Sequence, residues 1–197
     1  MINPDEQTMD YYHRNAEAFV ADTINASQPG HIARFAKLLP AGGRVLDWGC
    51  GSGRDSLALR SQGFEVTSVD ASPDLAAQAL AATGTTVRLE SFAELSEVDT
   101  YDGIWASASL LHVRPEDLPS VFEKAARALK DGGVLYCSFK YGRFRGYRTG
   151  RWYTDMDEDS IPELLEACFS IKEMWRSADV RPGRGDELWL NCLSTKR

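Results

Sequence analysis

The chain has 197 residues, 43% of them hydrophobic, and a formal net charge of −7. That length suits one domain with a sizeable core, and the acidic balance argues against nonspecific binding to nucleic acid. The four cysteines, Cys50, Cys137, Cys168 and Cys192, show no metal-ligand spacing and read as free thiols of a reducing compartment. No apolar run reaches the length of a membrane span, and the N-terminus lacks the basic and apolar regions of a signal peptide. A soluble cytoplasmic protein without metal, membrane or nucleic-acid partners is the expectation.

In chain order, the apolar spacing around residues 10–23 predicts a helix with Tyr12, Ala16, Phe19 and Val20 on one face. A second helix is expected over 31–39, stopped by Pro40 and Gly42-Gly43. A strand over 44–47 runs into a glycine turn, and a helix follows Gly53 as far as Gly63. The next apolar run ends at Asp70, and Pro73 opens another helix. Strands are expected over 87–90, 101–106 and 134–139. The helix between the last two carries Leu118, Val121, Phe122, Ala125 and Leu129 and is expected to end at Gly132-Gly133. A mobile loop over 140–155, a helix near 158–167 and two strands near 170–176 and 187–194 complete the chain. Alternation of this kind predicts an α/β, Rossmann-like, seven-stranded and mostly parallel sheet with helices on both faces. The last two strands lack a helical connection, so the last strand is expected to be antiparallel.

The segment Val45-Leu-Asp-Trp-Gly-Cys-Gly-Ser-Gly53, followed by Asp70 at the next strand's tip, describes a nucleoside site. The glycines admit a ligand to the backbone, and the carboxylate accepts the ribose hydroxyls. A P-loop requires Gly-Lys-Ser/Thr where this chain has Gly53-Arg54-Asp55. A pyrophosphate would be repelled by Asp47 and Asp55 on either side of the turn, whereas an ammonium and a sulfonium would be attracted.

With these residues in view, the chain resembles the class I S-adenosylmethionine-dependent methyltransferases from Val45 to Ser194. The glycine turn, Asp70, Tyr101-Asp-Gly-Ile-Trp-Ala-Ser107 and Leu129-Lys-Asp-Gly-Gly-Val-Leu135 are similar to the family's motifs, in the family's order. The resemblance implies S-adenosylmethionine as methyl donor and S-adenosylhomocysteine as product. It implies that Gly49, Cys50 and Gly51 lie against the methionine part, that Asp47 holds its ammonium, and that Asp70 and Ala71 meet the ribose. Ser91 and Phe92 stand where relatives contact adenine, although many relatives have an aspartate at the first position. Ala106 would meet the methionine moiety through its backbone, and Tyr12 would face the sulfonium from a helical lid over residues 1–40. Residues 41–139 would form the cofactor-binding core, and 140–197 the acceptor loop and last strands.

Trp48 reads as a core residue. His112, just past the fourth strand, is a candidate base or a structural loop histidine, and His13 and His31 read as surface residues. The segment from Lys140 to Tyr153 carries five positive charges, no negative one and interleaved aromatic rings. It suggests an anionic acceptor held by Lys140, Arg151 and Tyr153, with Arg181 and Trp189 as further contacts. The plainer reading pairs the loop's arginines with surface acids. Ser138-Phe-Lys-Tyr-Gly142, Gly150-Arg-Trp-Tyr153 and Glu187-Leu-Trp-Leu-Asn191 resemble the tellurite-resistance-type group of small methyltransferases, whose acceptor would be a chalcogen or related small nucleophile. The small size favours a small-molecule acceptor. The competing classes are a regulatory protein that binds the cofactor without catalysis and a nicotinamide oxidoreductase.

Overall fold

The computed structural model describes residues 4–197, so the first three residues of the expected lid lie outside the described residues. The helices are α1 (Glu6–Thr23), α2 (Pro29–Ala36), α3 (Arg54–Ser61), α4 (Pro73–Thr83), α5 (Leu118–Ala128) and α6 (Ser160–Leu165). The strands of the main sheet are β1 (Arg44–Trp48), β2 (Glu65–Asp70), β3 (Val87–Leu89), β4 (Tyr101–Ala106), β5 (Leu129–Lys140), β8 (Phe169–Ala178) and β9 (Leu188–Lys196); β6 (Arg145–Arg148) and β7 (Arg151–Thr154) form a separate pair. The seven-stranded sheet has the order β3-β2-β1-β4-β5-β9-β8. The first five are mutually parallel, and β9 runs antiparallel to both β5 and β8. The Rossmann-like sheet with an antiparallel last strand is therefore observed.

Residue parity assigns the two faces of this sheet. Val45, Trp105, Val134, Tyr136 and Leu193 point to one side, where Ile32 and Phe35 of α2 and Leu59 of α3 cover them. Their neighbours Leu46, Ile104, Leu135, Cys137 and Cys192 point to the other, under Val121 and Phe122 of α5 and Ile161 of α6. Trp105 and Tyr136 stack at 3.9 Å between ring centroids. Trp48 is fully buried, as expected, edge-on to Phe92 at 5.1 Å.

Four expectations are corrected. Helix α5 ends at Ala128 because Leu129 already has extended dihedrals, and Gly132-Gly133 is absorbed within β5. Helix α1 begins at Glu6 rather than 10, because the Asp5 carboxylate caps it by accepting from the Thr8 amide at 2.9 Å. The segment 140–155 is not a loop. Thr149 and Gly150 both have positive φ, which suits a tight two-residue hairpin turn between β6 and β7. His31 is half-buried, and its ring packs edge-on against Trp175 at 5.4 Å.

Candidate active site

The carboxyl ends of β1, β2, β4 and β5 open into one cavity of about 950 Å³, roofed by α1 and the β6–β7 hairpin. That volume accommodates a nucleoside ligand together with a small acceptor. The roof is tied down by polar contacts. Thr8 Oγ1 accepts from the Trp152 amide at 2.9 Å, and Arg114 bonds Asp5 at 2.8 Å while lying 3.6 Å over the Trp152 ring. Arg54 bonds the Ala26 carbonyl at 2.7 Å, which anchors the chain beyond α1.

The glycine turn hugs its neighbours. Gly49 has φ +81°, and a side chain there would meet Ser109 Cβ at 2.5 Å, so only glycine suits the position. Asp70 accepts from the Gly51 and Ser72 amides, each at 2.9 Å, which turns its carboxylate into the cavity beside Ala71. Burial raises its pKa, offset by those amides. Asp47 is buried and accepts from the Ser56 hydroxyl, which also bonds Ser68 Oγ at 2.7 Å. Desolvation, aided by the nearby Asp55 carboxylate, pushes the Asp47 pKa up to about 7.

Asp55 itself is engaged elsewhere. Its oxygens accept from Arg54 at 2.7 and 2.9 Å and from Trp105 Nε1 at 2.9 Å. Of the three carboxylates around the glycine turn, Asp47 and Asp70 are thus the two left to face a ligand. Cys50 lines the same wall, and burial pushes its thiol pKa upward, so it is no nucleophile. Ser91 and Phe92, expected near adenine, both line the cavity, and the Ser91 hydroxyl also takes part in a capping box, donating to Glu94 at 2.7 Å. Ala106 is fully buried and does not reach the cavity; Ser107, Ala108 and Ser109 form that wall. This is a displacement of one residue from the expected contact.

The other expected acceptor residues, His112, Lys140, Arg151 and Tyr153, all line the cavity. Their electrostatic states differ. Lys140 is paired with Glu187 and, at 3.2 Å, with Asp179. Arg148 pairs with Asp155, Arg143 with Asp157 and Asp159, and Arg181 with Asp179 and Asp22. These cations are paired, as the plainer reading had it, but Asp155, Asp157 and Asp179 are buried acids rather than surface ones. Arg151 is the exception among the described residues of the cavity wall. It has no carboxylate partner, its buried Nε has no hydrogen-bond acceptor, and its guanidinium stands among Tyr11, Tyr12 and Tyr153 at 4.4, 5.8 and 5.4 Å.

The residues not foreseen are Thr8, Asp5 and Asp179. Asp5 and Thr8 carried a readable signal, a helix cap at the usual spacing. Asp179 carried none, because its contacts to Lys140, Arg181 and Trp189 arise from strand placement.

Fold, glycine turn and carboxylate pair together define the site of an S-adenosylmethionine-dependent methyltransferase. The chain belongs to the methyltransferase-domain family, whose model matches residues 12–166. An uncharacterized methyltransferase from Staphylococcus carnosus is 33% identical over 142 residues, 68% of each chain. The chain spans only about half the length of several other curated relatives, among them ubiquinone biosynthesis O-methyltransferases. Among solved structures, the 1,6-didemethyltoxoflavin-N1-methyltransferase of Burkholderia thailandensis superposes with a TM-score of 0.74 at 24% identity, over 95% of this chain and 84% of that one. A putative methyltransferase of Haloferax volcanii, in complex with the Trm112 methyltransferase activator, superposes at 0.76 with 19% identity, over 95% and 96%. Among the described residues, no helix is long and apolar enough to cross a membrane.

Proposed function

We propose that the protein transfers the methyl group of S-adenosylmethionine to a small acceptor that carries an anionic group. The observation that carries this reading is Arg151, a half-buried guanidinium whose Nε is buried and unsatisfied and which has no carboxylate partner, facing the cavity that Asp47 and Asp70 also line. An unpaired cation in a partly closed site is a standing invitation to a carboxylate or oxyanion, which it can grip in fork geometry. Support for a small acceptor comes from the Burkholderia structure, which holds 1,6-didemethyltoxoflavin beside S-adenosylhomocysteine. A chalcogen nucleophile of the tellurite-resistance type falls within the proposed class. Lys140 and Tyr153 flank Arg151 in this reading, with Lys140 shaping the wall through its ion pairs. The four free thiols fit a reducing cytoplasm.

Methyl transfer from a sulfonium has an excellent leaving group, so the protein's work is to align donor and nucleophile and exclude water. Asp70 would hold the ribose, Asp47 the ammonium, and the glycine turn would let the donor lie on the backbone. The hairpin and α1 would close over the reacting atoms.

Thermal-shift titration tests the donor half. S-adenosylhomocysteine should raise the melting temperature and NADPH should not. Stabilisation by the nicotinamide alone would overturn the assignment. For the acceptor half, Arg151→Met should raise the acceptor KM more than tenfold while S-adenosylhomocysteine affinity, read by calorimetry, stays within about twofold. Equal loss of both would remove Arg151 from acceptor recognition.

A further inference from the structure

Two side chains from opposite walls of the cavity meet so as to define a proton path. His112, on the short turn Leu110–His112 after β4, places Nδ1 2.6 Å from the Trp152 carbonyl oxygen and Nε2 2.9 Å from the Tyr12 hydroxyl. A carbonyl oxygen only accepts, so Nδ1 carries the ring hydrogen. In the neutral ring Nε2 is then a bare lone pair, and the Tyr12 hydroxyl must donate to it. The Tyr12 oxygen lines the cavity with a lone pair to spare, the Arg151 guanidinium interacting with it from β7.

The geometry points to Tyr12 and His112 as the base couple that deprotonates the acceptor. Tyr12 Oη takes the proton of an acceptor O–H or N–H while passing its own to His112 Nε2. This rests on the methyl-transfer reading above and narrows it. The acceptor is a hydroxyl or amine compound with an anionic group, rather than a nucleophile already ionised.

Placement supports the role. The Tyr12 ring meets Phe19 edge-on at 5.2 Å, and Phe19 is the ring that a side chain at Gly51 would touch at 3.5 Å. The hydroxyl therefore belongs to a wall one ring away from the donor's glycine turn. Charged and titratable groups face the couple from every packed element: Arg151 and Tyr153 from β7, Tyr11 and Asp5 from α1 and its cap, and Asp70 from β2. Burial pushes the Tyr12 hydroxyl pKa up, and Arg151, the nearest cation, opposes that, so the proton must pass to His112 as the acceptor's arrives. Burial, with a contribution from Arg151, lowers the His112 pKa to about 4, so the lone pair is available at neutral pH. An acceptor anion that neutralises Arg151 removes the smaller of the two causes of that lowering, burial being the larger.

The step balances. The acceptor's O–H or N–H bond breaks, its pair forms the bond to the methyl carbon, and the carbon–sulfur pair leaves with S-adenosylhomocysteine. One proton rests on His112 Nε2 and returns to solvent.

The test uses two acceptors of one shape, 4-hydroxybenzoate and 4-sulfanylbenzoate, the second already a thiolate at pH 8. Tyr12→Phe and His112→Asn should each lower kcat on the hydroxyl compound on the order of 100-fold, with KM little changed and kcat on the thiol within about threefold. Equal losses on both compounds, or none on the hydroxyl, would overturn the couple. Turnover of neither would count against the acceptor reading, and the couple then stands or falls on nitrogen NMR of the S-adenosylhomocysteine complex. His112 must show a protonated Nδ1 and a bare Nε2 whose resonance moves in the Tyr12→Phe protein. The opposite tautomer, or an unmoved resonance, overturns it.

Discussion

Replacing Asp70 by alanine is expected to weaken S-adenosylhomocysteine binding on the order of 100-fold while leaving the protein folded. Two effects add in the liganded state. The carboxylate is the acceptor available at the tip of β2 for two ribose hydroxyls, and a charge-assisted hydrogen bond contributes about 1.5–3 kcal/mol. It also orients the turn itself, through the Gly51 and Ser72 amides at 2.9 Å. In the unliganded protein the balance differs, because burial already disfavours the charged carboxylate, as its raised pKa records. Removing it relieves that desolvation and frees two amides at the edge of a cavity where water can serve them. The melting temperature should therefore move little while calorimetry shows the affinity loss. Asp70→Asn, which keeps the shape and one acceptor oxygen, should fall between. An affinity unchanged in Asp70→Ala would remove Asp70 from donor recognition.

The proposed donor side of this site is local in sequence, and this is why its residues could be named from the chain alone. Asp47, the glycines and Asp70 lie within one β-α-β unit, whose strand, turn and helix follow from short-range pattern. The acceptor side is assembled from α1, the turn after β4 and the β6–β7 hairpin, and no spacing in the chain encodes that meeting. The hairpin shows how the signal was masked. Arg145 to Thr154 alternates across Thr149-Gly150, but the density of arginines and glycines looks like a solvated loop until the positive φ values reveal the turn. The basic run likewise pointed to Lys140 and Arg151 together as acceptor contacts. Pairing with Asp155, Asp157, Asp159, Asp179 and Glu187 depends on tertiary neighbours, and the fold leaves Arg151, not Lys140, as the cation of this run that faces the cavity without a carboxylate. Ala106 differs for a smaller reason. The position of a strand's last buried residue is uncertain by one, and here the chain turns outward only at Ser107.

Donor affinity should depend on pH through Asp47. Desolvation, with Asp55 nearby, holds its pKa at about 7 in the unliganded protein. The ammonium of S-adenosylhomocysteine binds the ionised form, so below pH 7 binding must first expel a proton. Affinity is then expected to fall about fiftyfold from pH 7 to pH 5, approaching tenfold per unit at the acid end, and to rise only about twofold from 7 to 8. Folding carries the opposite sign. The folded-state pKa lies above the ordinary carboxylate value of about 4, so the native protein holds more protons than the unfolded chain between those limits. The stability this group supplies is present at low pH and is lost as pH rises through 7. The ligand compensates for that loss, so its thermal shift should be larger at pH 8 than at pH 5.5. Calorimetry at pH 6 in two buffers of different ionisation enthalpy should register release of close to one proton per ligand bound. Asp47→Asn should abolish both the proton release and the pH dependence, leaving a constant, weak affinity. Affinity that is level from pH 5 to 8 in the natural protein would mean that Asp47 does not meet the ammonium.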